Sequence, residues 1–156
     1  MFSKNFFLIT SSLVLLASCG SNKPMTVKTE QISSCSPHFN AAVNDTIFFA
    51  FDKSELSHTA RADLSKQAEW IKINADKSDK FVVEGHADIR GTRAYNLALG
   101  ERRASQAEQF LISQGVDAGM LKTVSYGSSK PLVDANNEEA YAQNRRAVTI
   151  DHNHQH

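Results

Sequence analysis

Residues 84–104 read EGHADIRGTRAYNLALGERRA, and this stretch decides how the chain folds. A β-prone run at 81–84 leads into it and ends at Gly85. After a polar loop that turns at Gly91, Thr92 is placed to cap a helix. The inner face of that helix would carry a stripe of mostly small residues, namely Leu97, Gly100, Ala104, Ala107 and Leu111. The stretch therefore predicts a strand, a loop and a long helix that can approach a sheet closely.

Alternating strand and helix patterns flank this stretch on both sides, and Gly115 is suited to end its helix. The flanking predictions are a strand at 46–51, a helix at 58–74 capped by Ser57, a strand at 121–126, a short helix at 138–143 and a strand at 147–150. This order predicts an α/β (α+β) fold. Its architecture would be a two-layer sandwich, with helices on one face of a four-stranded mixed sheet, preceded by a flexible tether.

The amino-terminal residues resemble an export signal rather than a membrane span. The apolar run at 6–16, FFLITSSLVLL, is too short to cross a bilayer as a helix. It leads into Leu16-Ala17-Ser18-Cys19, which resembles a bacterial lipobox, so we expect a signal peptide at 1–18 and lipidation of Cys19. Gly20 after the cysteine resembles lipoproteins that are sorted to the outer membrane. The polar residues 19–44 would be the tether, 45–151 the folded domain and 152–156 a disordered tail.

Composition limits the function classes that remain. The 156 residues allow one compact domain, and Lys+Arg and Asp+Glu each total 17, so no basic excess favours a nucleic-acid partner. Cys35 in the tether is an incidental thiol or a site of intermolecular crosslinking. His152, His154 and His156 alternate in the tail, where a solvated tail is favoured over loose cation binding. The sequence predicts no cofactor and no metal site.

Several blocks together resemble the OmpA-like peptidoglycan-binding domain. They are residues 84–104, VSYG at 124–127, KP at 130–131 and NRRA at 144–147, and the resemblance covers about residues 46–150. Their form is most similar to the lipoprotein branch of that family that works with the Tol proteins. Ile89 departs from the pattern, because that branch usually carries an acidic residue there.

The resemblance implies a binding site for diaminopimelate of the peptidoglycan stem peptide. Asp88 would take the ammonium and Arg103 the carboxylate of one ligand, and loss of either is expected to cause a severe binding defect with the fold intact. Arg103 lies roughly 16 Å along the predicted helix, so the two meet only if the loop folds back or the helix begins later. The resemblance also places six further residues near the pocket: Phe51, Asp52, Arg90, Thr92, Asn96 and Leu99. Structural alternatives are caps for Asp52 and Thr92, a turn-stabilising amide for Asn96, and core packing for Leu99.

A binding protein is favoured over an enzyme. His86, Asp88 and Ser125 outline an acid-base set, but no nucleophile elbow or second histidine accompanies them. The resemblance implies an outer-membrane lipoprotein with its domain in the periplasm, whose partners are peptidoglycan, the membrane through its lipid anchor, and TolB with other Tol proteins. The alternatives are a generic OmpA-like wall-anchoring lipoprotein without Tol partnership and a stator-type wall anchor.

Overall fold

The structure is a computed structural model that describes residues 38–152. The signal peptide, Cys19, Cys35, most of the expected tether and residues 153–156 lie outside the described residues. The helices are α1 (Phe39–Ala42), α2 (His58–Asn74), α3 (Arg93–Ser113) and α4 (Glu138–Asn144), and a 3-10 turn spans Ala118–Met120. The strands are β1 (Thr46–Phe48), β2 (Phe81–His86), β3 (Leu121–Gly127) and β4 (Arg146–Asp151). Within residues 38–152, no helix has the length and hydropathy needed to span a bilayer.

The strands form one mixed sheet in the order β1-β4-β2-β3. β2 pairs in parallel with β3, whereas β4 runs antiparallel to both β1 and β2. Phe81 and Val83 point from β2 into the core, where they join Leu64 and Ile71 of α2 and Leu111 of α3. Burial of these side chains drives the packing of the helical layer on the sheet. The predicted two-layer fold with a four-stranded mixed sheet is confirmed.

The two long helices begin at the residues that the capping signals predict. The Ser57 hydroxyl accepts a hydrogen bond from the backbone N–H of Ala60 at 3.1 Å, and the Thr92 hydroxyl accepts one from Tyr95 at 3.2 Å. Both bonds satisfy N–H groups that have no partner inside the helix. After α3, Gly115 adopts a φ of +94°, the left-handed conformation expected beyond a helix end.

Strand ends differ from the predictions by one to three residues. β1 ends at Phe48 rather than at residue 51, because the carbonyl of Ala50 bonds to the Arg103 side chain instead of continuing a ladder. β2 runs two residues further than predicted, to His86, alongside β3, which continues to Gly127. β4 and α4 are likewise longer than predicted, at Arg146–Asp151 and Glu138–Asn144. Pairing with a distant strand, which one sequence does not reveal, sets the ends of β2, β3 and β4.

The folded unit begins earlier than predicted. Residues 38–44 were expected to be tether, yet Phe39 in α1 is only 2% exposed. Its ring packs edge-on against Trp70 at 5.2 Å and against Phe81 at 5.4 Å between ring centroids. Burial of a phenylalanine outweighs the polar composition around it, so residues 38–44 belong to the folded unit rather than to the tether. At the other end, the His152 N–H donates to the carbonyl of Lys80 at 2.9 Å, which ties the expected start of the tail to the sheet.

The helix α3 approaches the sheet very closely where Gly100 of α3 faces Gly85 of β2. A Cβ on Gly85 would overlap the carbonyl of Gly100, and a Cβ on Gly100 would lie 2.8 Å from the Gly85 carbonyl oxygen. The obstructing atoms of this contact include backbone, which cannot rotate away as a side chain can. The pair of glycines therefore fixes the height of α3 above the end of β2.

We expect Gly85→Ala to lower the free energy of unfolding by about 1–3 kcal/mol or more, because α3 must lift from the sheet. Urea denaturation followed by circular dichroism measures this change. Gly119→Ala is the matched control, since its Cβ would approach only the carboxylate of Asp117, at 3.2 Å. Equal stability of the two variants would show that the close approach does not constrain the fold.

Candidate ligand-binding site

A cavity of about 240 Å³ lies beyond the carboxyl end of β2, between the loop that follows it, the amino-terminal half of α3 and the turn after β1. Its lining residues are Phe51, Asp52, Ala87, Asp88, Arg90, Gly91, Tyr95, Asn96, Leu99 and Arg103. All of the site residues predicted from the sequence, except Thr92 and the undescribed Cys19, belong to this lining. Asp88 and Arg103, which the prediction depends on, thus face one cavity.

Thr92 is placed differently from its predicted role. Its side chain caps α3 through the bond to the Tyr95 N–H, and it does not line the cavity. The capping alternative that the sequence allowed accounts for this residue without a ligand.

Asp88 is a buried carboxylate held by two arginines, with only 5% of the residue exposed. Arg90 grips it in bidentate fashion, with Nε 3.1 Å from Oδ1 and Nη2 2.7 Å from Oδ2, and also donates its backbone N–H to Oδ1 at 3.1 Å. Arg145 adds a longer contact, 3.5 Å from Nη1 to Oδ2. Burial alone would raise the pKa of Asp88, but the hydrogen bonds from Arg90 outweigh it and hold the pKa below its usual value. The carboxylate is therefore charged at neutral pH.

The same arginines reach a second carboxylate, on α4. Glu138 accepts from Arg90 at 3.2 Å and from Arg145 at 2.8 Å. The Arg90 guanidinium also lies 4.2 Å from the ring centroid of Phe51 and 4.4 Å from that of Tyr141. Charge and ring contacts together hold Arg90 in place as one wall of the cavity. No short motif links Glu138 or Tyr141 to this cavity, because Glu138 lies 48 residues from Arg90 along the chain.

Arg103 is fully buried, and its guanidinium bonds to backbone. It donates to three carbonyl oxygens: Lys53 at 2.9 Å, His86 at 2.7 Å and Ala50 at 3.2 Å. Burial lowers the pKa of Arg103 to about 10, which leaves it charged at neutral pH. Three bonds do not exhaust the donors of a guanidinium, so capacity is left for a ligand oxygen. These bonds also give Arg103 a structural role, so its loss is expected to destabilise the fold as well as the ligand site.

Close packing of α3 explains why Asp88 and Arg103 meet. The Gly85–Gly100 contact brings the third turn of α3 over the end of β2, so Arg103 reaches the carbonyl of His86. The loop after β2 then folds back along α3, where the Asn96 amide donates to the carbonyl of Asp88 at 3.1 Å. The sequence had allowed either this loop path or a later helix start, and the loop path is the one observed.

A second cavity of about 240 Å³ lies at the other end of the sheet, beside α1. Its lining is His38, Phe39, Asn40, Asp45, Val148, Thr149, Ile150 and Asp151. Two carboxylates line it, but neither arginine nor lysine does. It therefore lacks the guanidinium that suits a ligand carboxylate, whereas the cavity with Asp88 and Arg103 has groups of both charges.

The outlined acid-base set is not assembled. His86 stacks on Tyr126 with 5.6 Å between ring centroids, while the Ser125 hydroxyl donates to the carbonyl of Leu97 at 2.7 Å. Asp88 is engaged with arginines rather than with His86. Within residues 38–152, no group of three or more potential metal ligands comes together either. The described charges can bind and orient an ionic ligand.

His86 gives the fold a dependence on pH. Its side chain is 1% exposed, and Glu84 Oε2 lies 3.5 Å from Nε2. Burial, followed by the charges of Arg146 and Lys130, lowers the pKa from 6.5 to about 4. The unfolded chain therefore binds more protons between these values, so stability is lost as pH falls from 6.5 to 4.

We expect the titration of His86 to lower the free energy of unfolding by about 3 kcal/mol as the pH falls across that interval, at about 1.4 kcal/mol per pKa unit. His86→Phe keeps an aromatic ring against Tyr126 and should flatten the profile. His58→Phe, at an exposed position on α2, is the matched control and should keep the wild-type slope. Denaturant titrations at pH 7, 5.5 and 4 measure the difference, and parallel profiles for wild type and His86→Phe would contradict the account.

Comparison with known proteins places this architecture in a family. Residues 48–145 match the model of the OmpA family. The peptidoglycan-associated lipoprotein of Agrobacterium fabrum is 40% identical over 158 residues, covering 95% of this chain and 88% of that protein. The one from Mesorhizobium japonicum is 49% identical over 111 residues, or 71% of this chain and 65% of the relative, just under two thirds of its length. The crystal structure of the Burkholderia pseudomallei peptidoglycan-associated lipoprotein superposes with a TM-score of 0.65 at 33% identity, covering 68% of this chain and 88% of that one.

The family match spans both long helices, the strands β2 and β3, and the cavity residues from Phe51 to Arg103. The matches also agree with the resemblance of the sequence motifs to the OmpA-like domain. The chain belongs to the OmpA family and, within it, to the peptidoglycan-associated lipoproteins.

Proposed function

We propose that this protein binds peptidoglycan without covalent attachment and catalyses no reaction on it. The ligand would be the diaminopimelate side chain of the stem peptide, whose free end carries an ammonium and a carboxylate on one carbon. The observation that carries the proposal is the shared cavity of Asp88 and Arg103. Opposite charges fixed on two walls match a zwitterion better than either charge alone would.

The size of the cavity supports an amino-acid end as the ligand. At about 240 Å³ it is below the roughly 300–1,000 Å³ typical of pockets for drug-sized molecules. A single zwitterionic end with its methylene chain fits this volume, whereas a disaccharide does not. The glycan would therefore stay outside the cavity, and the protein would recognise the stem peptide.

The pairing of Asp88 in the free protein suggests how the ligand enters. A carboxylate offers about four acceptor positions, and Arg90 fills most of those on Asp88. The longer contact to Arg145 leaves Oδ2 the more open oxygen. An incoming ammonium would bond there and displace the weak contact, while Arg145 keeps its bond to Glu138. The ligand carboxylate would accept from the unused donors of Arg103.

Competition between two stem tripeptides tests this proposal. Wild-type protein pelleted with purified wall sacculi should be released by the tripeptide with diaminopimelate in third place. The matched tripeptide with lysine keeps the ammonium but lacks the adjacent carboxylate, so it should compete far less. Equal competition by both peptides, or no pelleting at all, would refute recognition of the zwitterion. Release of soluble wall fragments during the incubation would refute the non-catalytic assignment.

The anchoring part of the proposal rests on the amino-terminal residues and on family membership. We propose that acylated Cys19 holds the protein in the outer membrane, with the domain in the periplasm and the tether spanning toward the wall. The protein would thereby link outer membrane and wall. Replacing Cys19 with serine should move it from the membrane pellet to the soluble periplasmic fraction.

Partnership with TolB and the other Tol proteins, serving cell division and envelope integrity, is the finer proposal. The alternative is a generic OmpA-like wall-anchoring lipoprotein without Tol partners. Photo-crosslinking from exposed positions of α3, in cells with and without TolB, separates the two. TolB adducts support the partnership, whereas wall peptides alone favour the generic function.

A further inference from the structure

The turn at residues 50–53 forms one wall of the cavity and has an unusual backbone. Asp52 has a φ of +57°, and among the described residues it is the non-glycine residue with positive φ. A side chain in this left-handed conformation costs free energy that surrounding contacts must offset. The N–H of Lys53 closes the turn on the carbonyl of Ala50 at 3.2 Å, but this bond does not fix the Asp52 side chain.

Two side chains of α3 hold this turn at different points. Arg103 bonds to the carbonyls of Ala50 and Lys53 and so fixes both ends. Tyr95 donates its hydroxyl to Oδ1 of Asp52 and so fixes the tip. This hydrogen bond raises the pKa of Tyr95, as expected for a donor to a carboxylate. The tip is therefore attached to α3 through Tyr95.

We propose that Tyr95 is a positioning residue of the ligand site: its hydroxyl holds Asp52 and thereby sets the distance between the turn and α3. The inference rests on the proposed function, because it assigns the residue that shapes the same cavity. Phe51, beside Asp52 on the turn, contacts the Arg90 guanidinium that grips Asp88. Displacement of the tip would therefore move Asp52. Through Phe51 and Arg90, it would also disturb Asp88, the carboxylate proposed to bind the ligand ammonium.

Tyr95 can affect binding without affecting the fold. It is 45% exposed and does not belong to the hydrophobic core. Without its hydroxyl, the tip is free to leave the left-handed conformation, and only a fraction of molecules would hold the cavity open in the binding geometry. Affinity falls in proportion to that fraction, so a competent population of about one tenth gives about a tenfold loss.

Calorimetric titration with a soluble probe measures the effect. The probe is the disaccharide tripeptide ending in diaminopimelate, and the protein is the chain from residue 19 onward with Cys19→Ser. Tyr95→Phe should bind about tenfold more weakly with an unchanged Tm. Tyr126→Phe removes the hydroxyl of a tyrosine that stacks on His86 instead of lining the cavity, and it should change neither quantity.

A second background separates positioning from direct ligand contact. Asp52→Gly removes the carboxylate that Tyr95 holds, and glycine adopts positive φ without strain. Adding Tyr95→Phe to Asp52→Gly should then cost little further affinity, because the two residues act through one bond. A persistent tenfold loss in this background would mean that Tyr95 contacts the ligand itself, which overturns the positioning role.

The remaining outcomes distinguish the two levels of the proposal. If the wild-type protein binds the probe and Tyr95→Phe binds equally well, the inference is wrong and the proposed function stands. If the wild-type protein does not bind the probe, the proposed function fails and the inference fails with it. A Tm lowered along with affinity would assign Tyr95 to the fold and overturn the inference.

Discussion

Asp88→Asn is expected to weaken binding of a diaminopimelate muropeptide by about thirtyfold to several thousandfold, which corresponds to roughly 2–5 kcal/mol. Asparagine has nearly the same shape and can still accept from Arg90. It carries no charge, so the ligand ammonium would be desolvated beside the guanidinium groups of Arg90 and Arg145 without an opposing carboxylate. The loss exceeds that of an ordinary hydrogen bond because the site is buried.

Calorimetric titration well below the Tm measures this effect, since Asp88→Asn also removes charge from two internal ion pairs and should lower stability by about 1–3 kcal/mol. Asp134→Asn is the control that changes net charge equally. Asp134 is exposed and lines a small neighbouring groove rather than the ligand cavity. If Asp88→Asn and Asp134→Asn bind the ligand with equal affinity, Asp88 does not take part in binding.

Arg103→Ala is expected to lower the free energy of unfolding by about 3–5 kcal/mol, because it removes three hydrogen bonds from a charged donor, each worth roughly 1.5–3 kcal/mol where buried. The carbonyls of Ala50, Lys53 and His86 would lose this donor, and the bond to His86 is fully buried. Arg103→Lys should recover only part of the loss, because one ammonium cannot reproduce a planar fork that reaches three oxygens. The structure thus gives Arg103 two roles, in the fold and in the ligand site.

Guanidinium denaturation of the purified chain tests this expectation. Arg102→Ala removes the neighbouring exposed arginine and should stay within about 0.5 kcal/mol of wild type. If Arg103→Ala and Arg102→Ala unfold at the same denaturant concentration, the carbonyl bonds of Arg103 do not stabilise the turn. Weak sacculus binding by Arg103→Ala alone is ambiguous, so Arg103→Lys at a temperature where it stays folded is the better probe of its ligand role.

Local signals were sufficient for the long helices and insufficient for strand ends. Ser57 and Thr92 correctly predict the starts of α2 and α3, because a capping side chain bonds within the first turn of its own helix. The end of β1 depends on Arg103, which takes up the Ala50 carbonyl from fifty-three residues away. The helical turn α1 was missed because four residues show no periodicity, and only the packing of Phe39 on Trp70 reveals its place.

The composition of the cavity came from family resemblance more than from spacing. Spacing alone put Arg103 too far along its helix to meet Asp88 unless the loop folded back, and the Gly85–Gly100 contact explains why it does. Tyr95, Glu138 and Arg145 were missing from the predicted site. Each of them reaches the site through a side-chain contact with a residue far away in the sequence, and a short motif cannot predict such a contact.

The most direct test of the central claim is to locate the ligand on the protein. Backbone amide resonances of the chain, titrated with the diaminopimelate tripeptide, should shift around Asp88, Arg90, Asn96 and the 50–53 turn. Resonances at Val148 and Ile150, beside the second cavity without arginine or lysine, should stay in place. Saturable shifts around Val148 and Ile150, with none near Asp88, would contradict the account.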